Sequence, residues 1–429
     1  MSDHQPGLRS NGNFRLYFGA RIVSQLGDQL YVFAICWYVL DLTKSSLHMA
    51  ALLAVNAFAV MAVAPFGGLI ADRISRKGVM VGTDVIQGVV LLGLVALQQG
   101  HTLSIGMLYG ATVLLGLCSA VFSPAASALV PGIVEKEHMP GAVAAGQAAA
   151  NICTIAGMLL GGALYRLIGI PGVLALNAAS NLIAAVMESK IRVAVVGGTA
   201  RAAPRAVGAF QRFVGEIFDG LHQVRKDRTV FGLLLVNTAF NLVALPIAMV
   251  YMPYLFNVIL GASPVQAAVP QAATWAGIIL GSAAAARLLH RHRPESVIAG
   301  GLLALSVQTL LMVWLIGART ALGASWMSAA CALGNGLAGA AGASFIVPLY
   351  ALFHARSVDE FRGRFWGLES CLRTAAMCAG YFLAGALAQR LPLGFVFAGT
   401  GVVLASLSVM VIRLRASPVD REVAVIPPG

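Results

Sequence analysis

Long apolar runs separated by short polar segments recur along the whole 429-residue chain. Each run is long enough to cross a bilayer, because a transmembrane helix needs about 20 mostly apolar residues. Charged residues make up 11% of the sequence and hydrophobic residues 59%, whereas soluble proteins average about 25% and about 45–50%. A soluble fold of this composition would lack the polar residues to cover its surface. The sequence therefore predicts an all-α protein that crosses a membrane many times.

The apolar runs form two groups of six. A polar connector that contains Arg201, Pro204 and Arg205 separates the groups. We expect a six-helix bundle at 1–190, a cytoplasmic linker with an amphipathic helix at 191–228, a second six-helix bundle at 229–413, and a tail at 414–429. The twelve predicted spans cover residues 16–40, 47–71, 79–98, 103–126, 143–166, 171–190, 229–258, 266–288, 296–317, 322–352, 365–389 and 392–413.

The positions of the basic residues predict the topology. The net charge is +12, and with a cytoplasmic N-terminus 23 of the 29 Lys and Arg residues lie in inner loops, 4 in outer loops and 2 inside spans. Cytoplasmic loops carry such an excess, so both termini are expected in the cytoplasm. Because topology accounts for the charge, no nucleic-acid partner is expected. Arginine outnumbers lysine 24 to 5, which is typical of a GC-rich bacterial genome and favours the bacterial inner membrane.

The two halves share a short repeat. Arg73 and Lys77, after span two, align with Arg287 and Arg291, after span eight, at one constant offset. Parallel repeats of this kind occur in a large class of secondary transporters.

Three segments resemble known transporters. Residues 68–77, GLIADRISRK, resemble the G-x-L-A-D-R-x-G-R-K signature of the major facilitator superfamily. Residues 13–18, NFRLYF, and 24–28, SQLGD, are similar to its drug- and siderophore-exporting branch, which includes macrolide and enterobactin exporters. The resemblance implies a major facilitator fold of twelve transmembrane helices in two six-helix bundles.

The same resemblance implies a conformational latch at the cytoplasmic side. In that picture Asp72 bonds to the start of span eleven near Arg364 and holds the outward-facing state. The second repeat has Ala286 in place of the aspartate, so the latch is one-sided. The expected latch residues are Gly68, Asp72, Arg73, Arg76, Lys77, Arg364 and Arg373.

Span five carries part of the family's antiporter motif, G-P-x-x-G-G. Gly157, Gly161 and Gly162 match the motif, and Met158 stands where the proline is expected. The glycines favour antiport, and the missing proline weakens that inference.

Ionisable residues inside spans are candidate proton sites, because a charged side chain at the bilayer centre costs about 2.5–3.5 kcal/mol on insertion scales. Asp28 lies about halfway into span one, and Asp84 lies early in span three. Glu369 and Arg373 are four residues apart on one face of span eleven. We expect Asp28, Asp84 and Glu369 to be the proton-coupling residues, with Asp28 first. The alternatives are that Asp28 only hydrogen-bonds a neighbouring helix and that Glu369 only pairs with Arg373.

The substrate cavity is expected between the halves near mid-membrane. Asn237 and Asn241 share one face of span seven, and Gln147 and Asn151 share one face of span five. The scarcity of fixed charge favours bulky amphipathic cargo that is uncharged or cationic. The candidate substrate-binding residues are Trp37, Asn56, Gln147, Asn151, Asn237, Asn241 and Asn335, and further polar candidates are Asn177, Asn181 and Gln308.

No motif for ATP hydrolysis, metalloprotease or serine-hydrolase chemistry occurs. We therefore expect neither an enzyme nor a cofactor nor a metal. The sequence predicts a monomeric secondary transporter in the lipid bilayer that exports hydrophobic or amphipathic small molecules in exchange for protons. A dedicated exporter of one siderophore or self-made metabolite, a proton-coupled nutrient importer and a lipid flippase remain alternatives.

Overall fold

The computed structural model describes residues 11–73, 75–192, 206–318, 323–357 and 362–414. Within these ranges, the side chains of residues 64–73, 206–213 and 216 are not described. In these ranges every regular element is a helix. Ten of the helical segments are long and apolar enough to cross a membrane, and one of them, Lys136–Ser189, has the length of two spans. The predicted all-α membrane fold is confirmed.

The first part of the chain forms long helices joined by short connections. Two 3₁₀ turns, Val130–Gly132 and Lys136–His138, join the fourth helix to the fifth. The helices are α1 (Gly12–Thr43), α2 (Ser46–Arg73), α3 (Arg76–Gln99), α4 (Ile105–Leu129) and α5 (Met139–Ser189).

Helix α5 contains the predicted spans five and six in a single run of residues. Its backbone is not helical at Gly169, where φ is 65° and ψ is −173°. Glycine adopts a positive φ without the steric penalty that other residues meet. Pro171, which lacks a backbone N–H, follows directly. The break divides α5 into a first arm before Gly169 and a second arm after it, and these arms correspond to the two predicted spans.

The remaining helices begin with an amphipathic segment, as the linker sequence predicts. The Asp227 carboxylate caps the helix that follows, because its Oδ1 accepts the N–H groups of Thr229 and Val230 at 2.9 and 3.1 Å. The helices are α6 (Ala206–Val224), α7 (Arg228–Val243), the short α8 (Met252–Tyr254), α9 (Pro264–Leu289), α10 (Pro294–Gly317), α11 (Ala324–Arg356), α12 (Arg362–Arg390) and α13 (Leu393–Leu414).

Span seven contains Pro246 and Pro253, and its helix is interrupted. Helix α7 ends at Val243, and the chain continues through two π-helical turns, Ile247–Tyr251 and Leu255–Ile259. Proline removes a backbone donor and clashes with the preceding turn, and a wider π turn accommodates that disruption.

The chain divides into two compact units, Met1–Phe213 with Met252–Ala272, and Val214–Tyr251 with Ala273–Gly429. In the first unit α1 and α3 pack against α5, and α2 packs against α4. In the second unit α10 packs against both α11 and α13, and α7 packs against α12. The division into bundles at 1–190 and 229–413 stays a prediction.

Small residues bring α9 and α11 together in the second unit. A Cβ atom at Gly277 would overlap the backbone of Gly336, and one at Gly281 would overlap Ala340. Close backbone approach of this kind stabilises helix pairs in membranes, where apolar side chains gain little by leaving lipid. The glycines spaced four apart in span eight therefore form a helix contact.

We predict that Gly277→Ala destabilises the protein by about 1–3 kcal/mol, because the added methyl group has no space. The measurement is thermal unfolding of the purified protein in detergent. Gly300→Ala on α10 is the matched control, since a Cβ there meets nothing within 4 Å. That change should leave stability unchanged or raise it, as Ala is the better helix former. Equal unfolding temperatures for the two variants would refute the contact.

Candidate functional site

Asp28 lies near the middle of α1, where this helix approaches the second arm of α5. Gly27 permits the approach, because a Cβ there would overlap the side chains of Asn177 and Ser180. The side-chain amides of Asn177 and Asn181 lie within hydrogen-bonding reach of the Asp28 carboxyl group. Both asparagines are 1% exposed. Asp28 thus belongs to a polar pocket built between two helices.

The asparagines of this pocket are held in a fixed arrangement. The Asn181 Nδ2 donates to the backbone oxygen of Asn177 at 3.0 Å and to its Oδ1 at 3.1 Å. Ser180 Oγ also donates to Asn177 Oδ1, at 3.2 Å. The buried Asn181 Oδ1 has no hydrogen-bond partner in the described part of the chain. Asn181, whose side chain reaches Asp28, thus also carries an acceptor without a partner among the described residues.

A second group of charges lies toward the start of α1. Arg21 is two helical turns before Asp28, and its guanidinium lies 4.9 Å from the centroid of the Phe122 ring. The Arg21 charge interacts with the carboxyl groups of Asp28, Asp84 and Glu188. Among the described side chains, Arg21 is the cation that these three carboxyl groups share.

Asp84 and Glu188 are more deeply buried than their positions near helix ends suggest. Their side chains are 2% and 1% exposed. Asp84 Oδ2 and both Glu188 carboxyl oxygens are buried without a hydrogen-bond partner among the described residues. Three ionised carboxylates beside a single guanidinium would leave buried charge uncompensated, which is costly. The arrangement can avoid that cost by binding protons.

Glu369 lies in the second unit, in a different environment. Its Oε1 accepts hydrogen bonds from Asn237 Nδ2 and Tyr350 OH, both at 3.0 Å, and lies 3.3 Å from Arg373 Nε. The expected i, i+4 pairing with Arg373 is confirmed. Asn241 Nδ2 donates to Asn237 Oδ1 at 3.2 Å, so the two asparagines of α7 share one face, as predicted. The charge of Glu369 is thus balanced by a neighbouring cation and two hydrogen bonds, whereas Asp84 and Glu188 in the first unit have carboxyl oxygens without a hydrogen-bond partner among the described residues.

Other substrate-binding candidates differ in exposure. Gln147 Nε2 donates to Asn151 Oδ1 at 3.4 Å on α5, and Gln147 and Asn56 are exposed. Trp37 is 3% exposed and stacks on Phe33, with ring centroids 6.1 Å apart. Gln147 and Asn56 are thus accessible to a ligand in this conformation, and Trp37 is packed inside the first unit.

A cavity of about 150 Å³ lies inside the second unit. Gln308 and Asn335 contribute amides to its lining, and Phe240, Ile278 and Ile346 contribute apolar surface. Sites for whole drug-sized ligands occupy about 300–1,000 Å³. This cavity therefore has the size to hold one group of a bulky ligand.

The latch prediction falls largely outside the described side chains. The side chains of Gly68, Asp72 and Arg73 are not among those described. Arg364 Nη1 lies 3.5 Å from Asp219 Oδ2, a residue of α6. The start of α12 is thus bound to the amphipathic helix, and the bond to Asp72 stays a prediction.

The other two basic residues of the signature loop join helices within the first unit. Arg76 Nη1 donates to the carbonyl oxygen of Ala128 at 2.7 Å. Lys77 Nζ donates to the carbonyl oxygen of Ile191 at 2.9 Å. These bonds connect the start of α3 to the ends of α4 and α5.

The motif glycines of span five are sites of close packing. A Cβ at Gly157 would overlap the Gln29 side chain, directly after Asp28. A Cβ at Gly161 would lie 3.2 Å from Phe33 Cβ, and one at Gly162 would lie 2.8 Å from Ala268 Cβ. Gly157 and Gly161 therefore let the first arm of α5 pack directly on α1, beside the aspartate pocket.

Sequence analysis missed two residues of the charge cluster. Neither Arg21 nor Glu188 is among the candidate site residues that the sequence pattern indicates. An acidic residue inside the predicted span 171–190 is the signal that points to Glu188.

A polar set at the other end of α1 was also missed. Asp41 Oδ1 accepts a hydrogen bond from Asn257 Nδ2 at 2.8 Å, and its Oδ2 accepts one from Tyr165 OH at 2.9 Å. One carboxylate thus joins the end of α1, the first arm of α5 and the segment after α8.

Comparison with known proteins gives the class of this one. Residues 17–338 match the sequence profile of the Major Facilitator Superfamily. The chain belongs to this superfamily of membrane transporters.

Relatives of known name cover nearly the whole chain. It is 22% identical over 414 residues to Macrolide efflux protein A of Streptococcus pyogenes, which spans 94% of this chain and 97% of that protein. A shorter match, 28% identical over 100 residues, covers 23% of this chain and 24% of a Na(+), Li(+), K(+)/H(+) antiporter of Planococcus maritimus. The full-length likeness supports the drug-efflux branch of the superfamily.

Solved structures show the same fold. The nucleoside transporter NupG aligns with a TM-score of 0.72 at 13% identity. A bacterial homologue of the iron transporter ferroportin, in an inward-facing state, aligns with a TM-score of 0.73 at 17% identity. Each alignment covers 94% of this chain and 99% of the other. The predicted major facilitator fold is confirmed.

We predict that Arg373→Met destabilises the protein, because Glu369 loses its cationic partner. The loss should be smaller than the about 3–5 kcal/mol seen for fully buried pairs, since the Arg373 side chain is 34% exposed. Adding Glu369→Gln should recover part of the loss. A double-mutant cycle in chemical unfolding measures this, and strictly additive losses would show that the pair contributes nothing.

Proposed function

We propose that this transporter exports hydrophobic or amphipathic small molecules in exchange for protons by alternating access. Likeness to a macrolide efflux protein along the whole chain supports export of bulky, largely apolar cargo. The observation that carries the proton-coupled part is the pocket of Asp28.

This pocket suits both protonation states of Asp28. The ionised carboxylate can accept a hydrogen bond from the Asn177 amide, whose Oδ1 is already occupied. The protonated carboxyl group can donate to Asn181 Oδ1, the buried acceptor with no partner among the described groups. A buried acceptor without a donor costs about 1–3 kcal/mol, so protonation of Asp28 removes an existing penalty. A site that serves only to join two helices gains nothing from the spare acceptor.

The charges around Arg21 couple that proton to its surroundings. When Asp28 is ionised, it competes with Asp84 and Glu188 for the Arg21 guanidinium. When Asp28 binds a proton, Arg21 interacts with the two remaining carboxyl groups alone. A proton on Asp28 therefore changes the electrostatic contacts of α1 with α3 and α5, which pack together in the first unit.

Proton influx supplies enough free energy for export. One charge moving through 100 mV yields about 2.3 kcal/mol, and each pH unit adds about 1.4 kcal/mol. Together these correspond to a concentration ratio of a few hundredfold. Exchange of one proton for one neutral molecule can therefore maintain efflux.

The polar groups available for cargo are amides. In the first unit Gln147 and Asn56 are exposed, and in the second unit Gln308 and Asn335 line a cavity. Amides orient a ligand by hydrogen bonds without requiring charge on it. This supports cargo with an apolar body and a few polar groups.

The proposal includes the arrangement expected in the cell. The protein is a monomer in the bacterial inner membrane, with both termini cytoplasmic and two six-helix bundles that alternate about a central cavity. Asp72, Arg73 and Arg364 form its cytoplasmic latch.

A second candidate function is exchange of a monovalent cation for protons. The partial likeness to a cation/proton antiporter favours it. The Asp28 carboxylate and Asn181 Oδ1 are oxygen ligands of the kind that hard cations take. In that case the cation, instead of a drug-like molecule, competes with the proton.

We predict that Asp28→Asn abolishes the response of transport to a pH gradient, because asparagine keeps the shape of the side chain and cannot titrate. Uptake of a macrolide or a lipophilic cationic dye into energised inverted vesicles measures this, with an ionophore to collapse the gradient. Uptake by the wild-type protein should fall when the pH gradient is collapsed. Uptake by Asp28→Asn should be low with or without the gradient. Sodium or lithium flux in the same vesicles tests the second candidate.

Glu137→Gln is the matched control, as Glu137 is an exposed acid outside the long helices. It should retain the full response to the gradient. If Asp28→Asn also retains it, proton coupling through Asp28 is wrong.

A further inference from the structure

The second unit carries a large groove that the transport mechanism does not use. It has a volume of about 1040 Å³ and lies between α7, α10 and α13. Its walls include Leu235, Leu310, Val402 and Val409, all of them exposed. The neutral polar residues of the lining are Thr229, Ser306 and Ser406. Ser306 donates its hydroxyl to the Gly401 carbonyl at 2.7 Å, and Ser406 donates to the Val402 carbonyl at 2.9 Å. The body of the groove therefore offers an apolar surface.

The apolar surface continues beyond the groove. Leu303 and Trp314 on α10 and Val403 and Ile412 on α13 are also exposed. An apolar face of this extent on transmembrane helices is the face that contacts hydrocarbon. A cleft that opens onto hydrocarbon is filled by acyl chain, because water is excluded from that region.

The length of the groove fits one leaflet. From Gly401 to Arg413, both in its lining, α13 rises about 18 Å at about 1.5 Å per residue. Half of a hydrocarbon core is about 15 Å thick. An acyl chain lying along α13 therefore reaches from mid-membrane to the headgroup region.

The end of the groove near the headgroups is basic. Arg228 and Arg413 both line it, and the Arg225 guanidinium lies 5.9 Å from the centroid of Phe231, another lining residue. The neighbouring acid, Asp227, already caps α7 and lies 3.7 Å from Arg356. The local charge is thus positive at this end of the apolar groove.

We propose that the groove between α7, α10 and α13 binds one anionic phospholipid. Its acyl chain lies along Leu235, Val402 and Val409, and its phosphate contacts Arg228 and Arg413. Arginine is suited to phosphate because its planar guanidinium donates two parallel hydrogen bonds. Basic pockets between transmembrane helices recognise lipid headgroups in the same way. An uncharged or cationic cargo would leave the arginines without a partner, so the groove is not a second cargo site.

This inference does not depend on the direction of transport or on its coupling. Lipid binding can be measured on purified protein that transports nothing. If proton exchange at Asp28 proves wrong, the lipid site can still be correct. If the lipid site proves wrong, proton exchange at Asp28 can still be correct.

The test is native mass spectrometry of delipidated protein mixed with equal amounts of phosphatidylglycerol and phosphatidylcholine of matched chains. The wild-type protein should retain phosphatidylglycerol severalfold better than phosphatidylcholine. The double variant Arg228→Gln/Arg413→Gln should lose that preference. The matched control is Arg291→Gln/Arg293→Gln, which removes two exposed arginines from the connection between α9 and α10 and should keep it.

A second pair of variants tests the apolar wall. Ala405→Phe fills the lining of the groove and should reduce retention of both lipids. Val403→Phe, on an exposed neighbouring position outside the lining, should not. Gel filtration and circular dichroism confirm that each variant is folded.

Three results would overturn the proposal. One is equal retention of the two lipids by the wild-type protein. Another is displacement of phosphatidylglycerol by inorganic phosphate alone, which would make the arginines an ion site. The third is a photo-crosslinker at position 405 that captures residues 415–429 of the same chain, which would make the tail the occupant.

Discussion

Three carboxyl groups of the first unit interact with one guanidinium, and the proposed proton exchange depends on that imbalance. Asp28, Asp84 and Glu188 all interact with Arg21; Asp84 and Glu188 are buried, and Asp28 is half-buried. Every charged state of this cluster therefore has a different energy, and each proton bound or released redistributes the contacts of Arg21. In the second unit Glu369 is better compensated, because its Oε1 accepts two hydrogen bonds and forms an ion pair with Arg373. On this contrast rests our proposal that protons are exchanged in the first unit and that the Glu369 network joins helices of the second.

Packing makes the cluster possible. Gly27 and Gly157 bring the two arms of α5 against α1 beside Asp28, and the Asp28 side chain is half-buried there. The break at Gly169 directs the second arm back along α1 and places Asn177 and Asn181 at the height of Asp28. At the far end of α1, Asp41 joins the first arm of α5 to the segment after α8. The same helix thus carries a titratable centre and a polar contact at its end.

The sequence predicts the fold well because its signals are local. Apolar runs of about 20 residues define spans, and Pro246 and Pro253 mark the interruption of span seven in the structure. The i, i+4 spacing of Glu369 and Arg373 is enough to predict their pairing. The site is predicted less completely, since Glu188 and Arg21 become neighbours only when α5 folds back on α1. Hydropathy alone gives Glu188 no role, and only tertiary packing shows that its side chain is 1% exposed.

The central claim is that Asp28 carries the proton that is exchanged for cargo. The most direct measurement is proton release by purified protein in weakly buffered detergent solution when a macrolide or lipophilic cation is added, followed with a pH-sensitive dye. We expect release from the wild-type protein and none from Asp28→Asn, although that variant still binds cargo. Release of equal size from Asp28→Asn would contradict it.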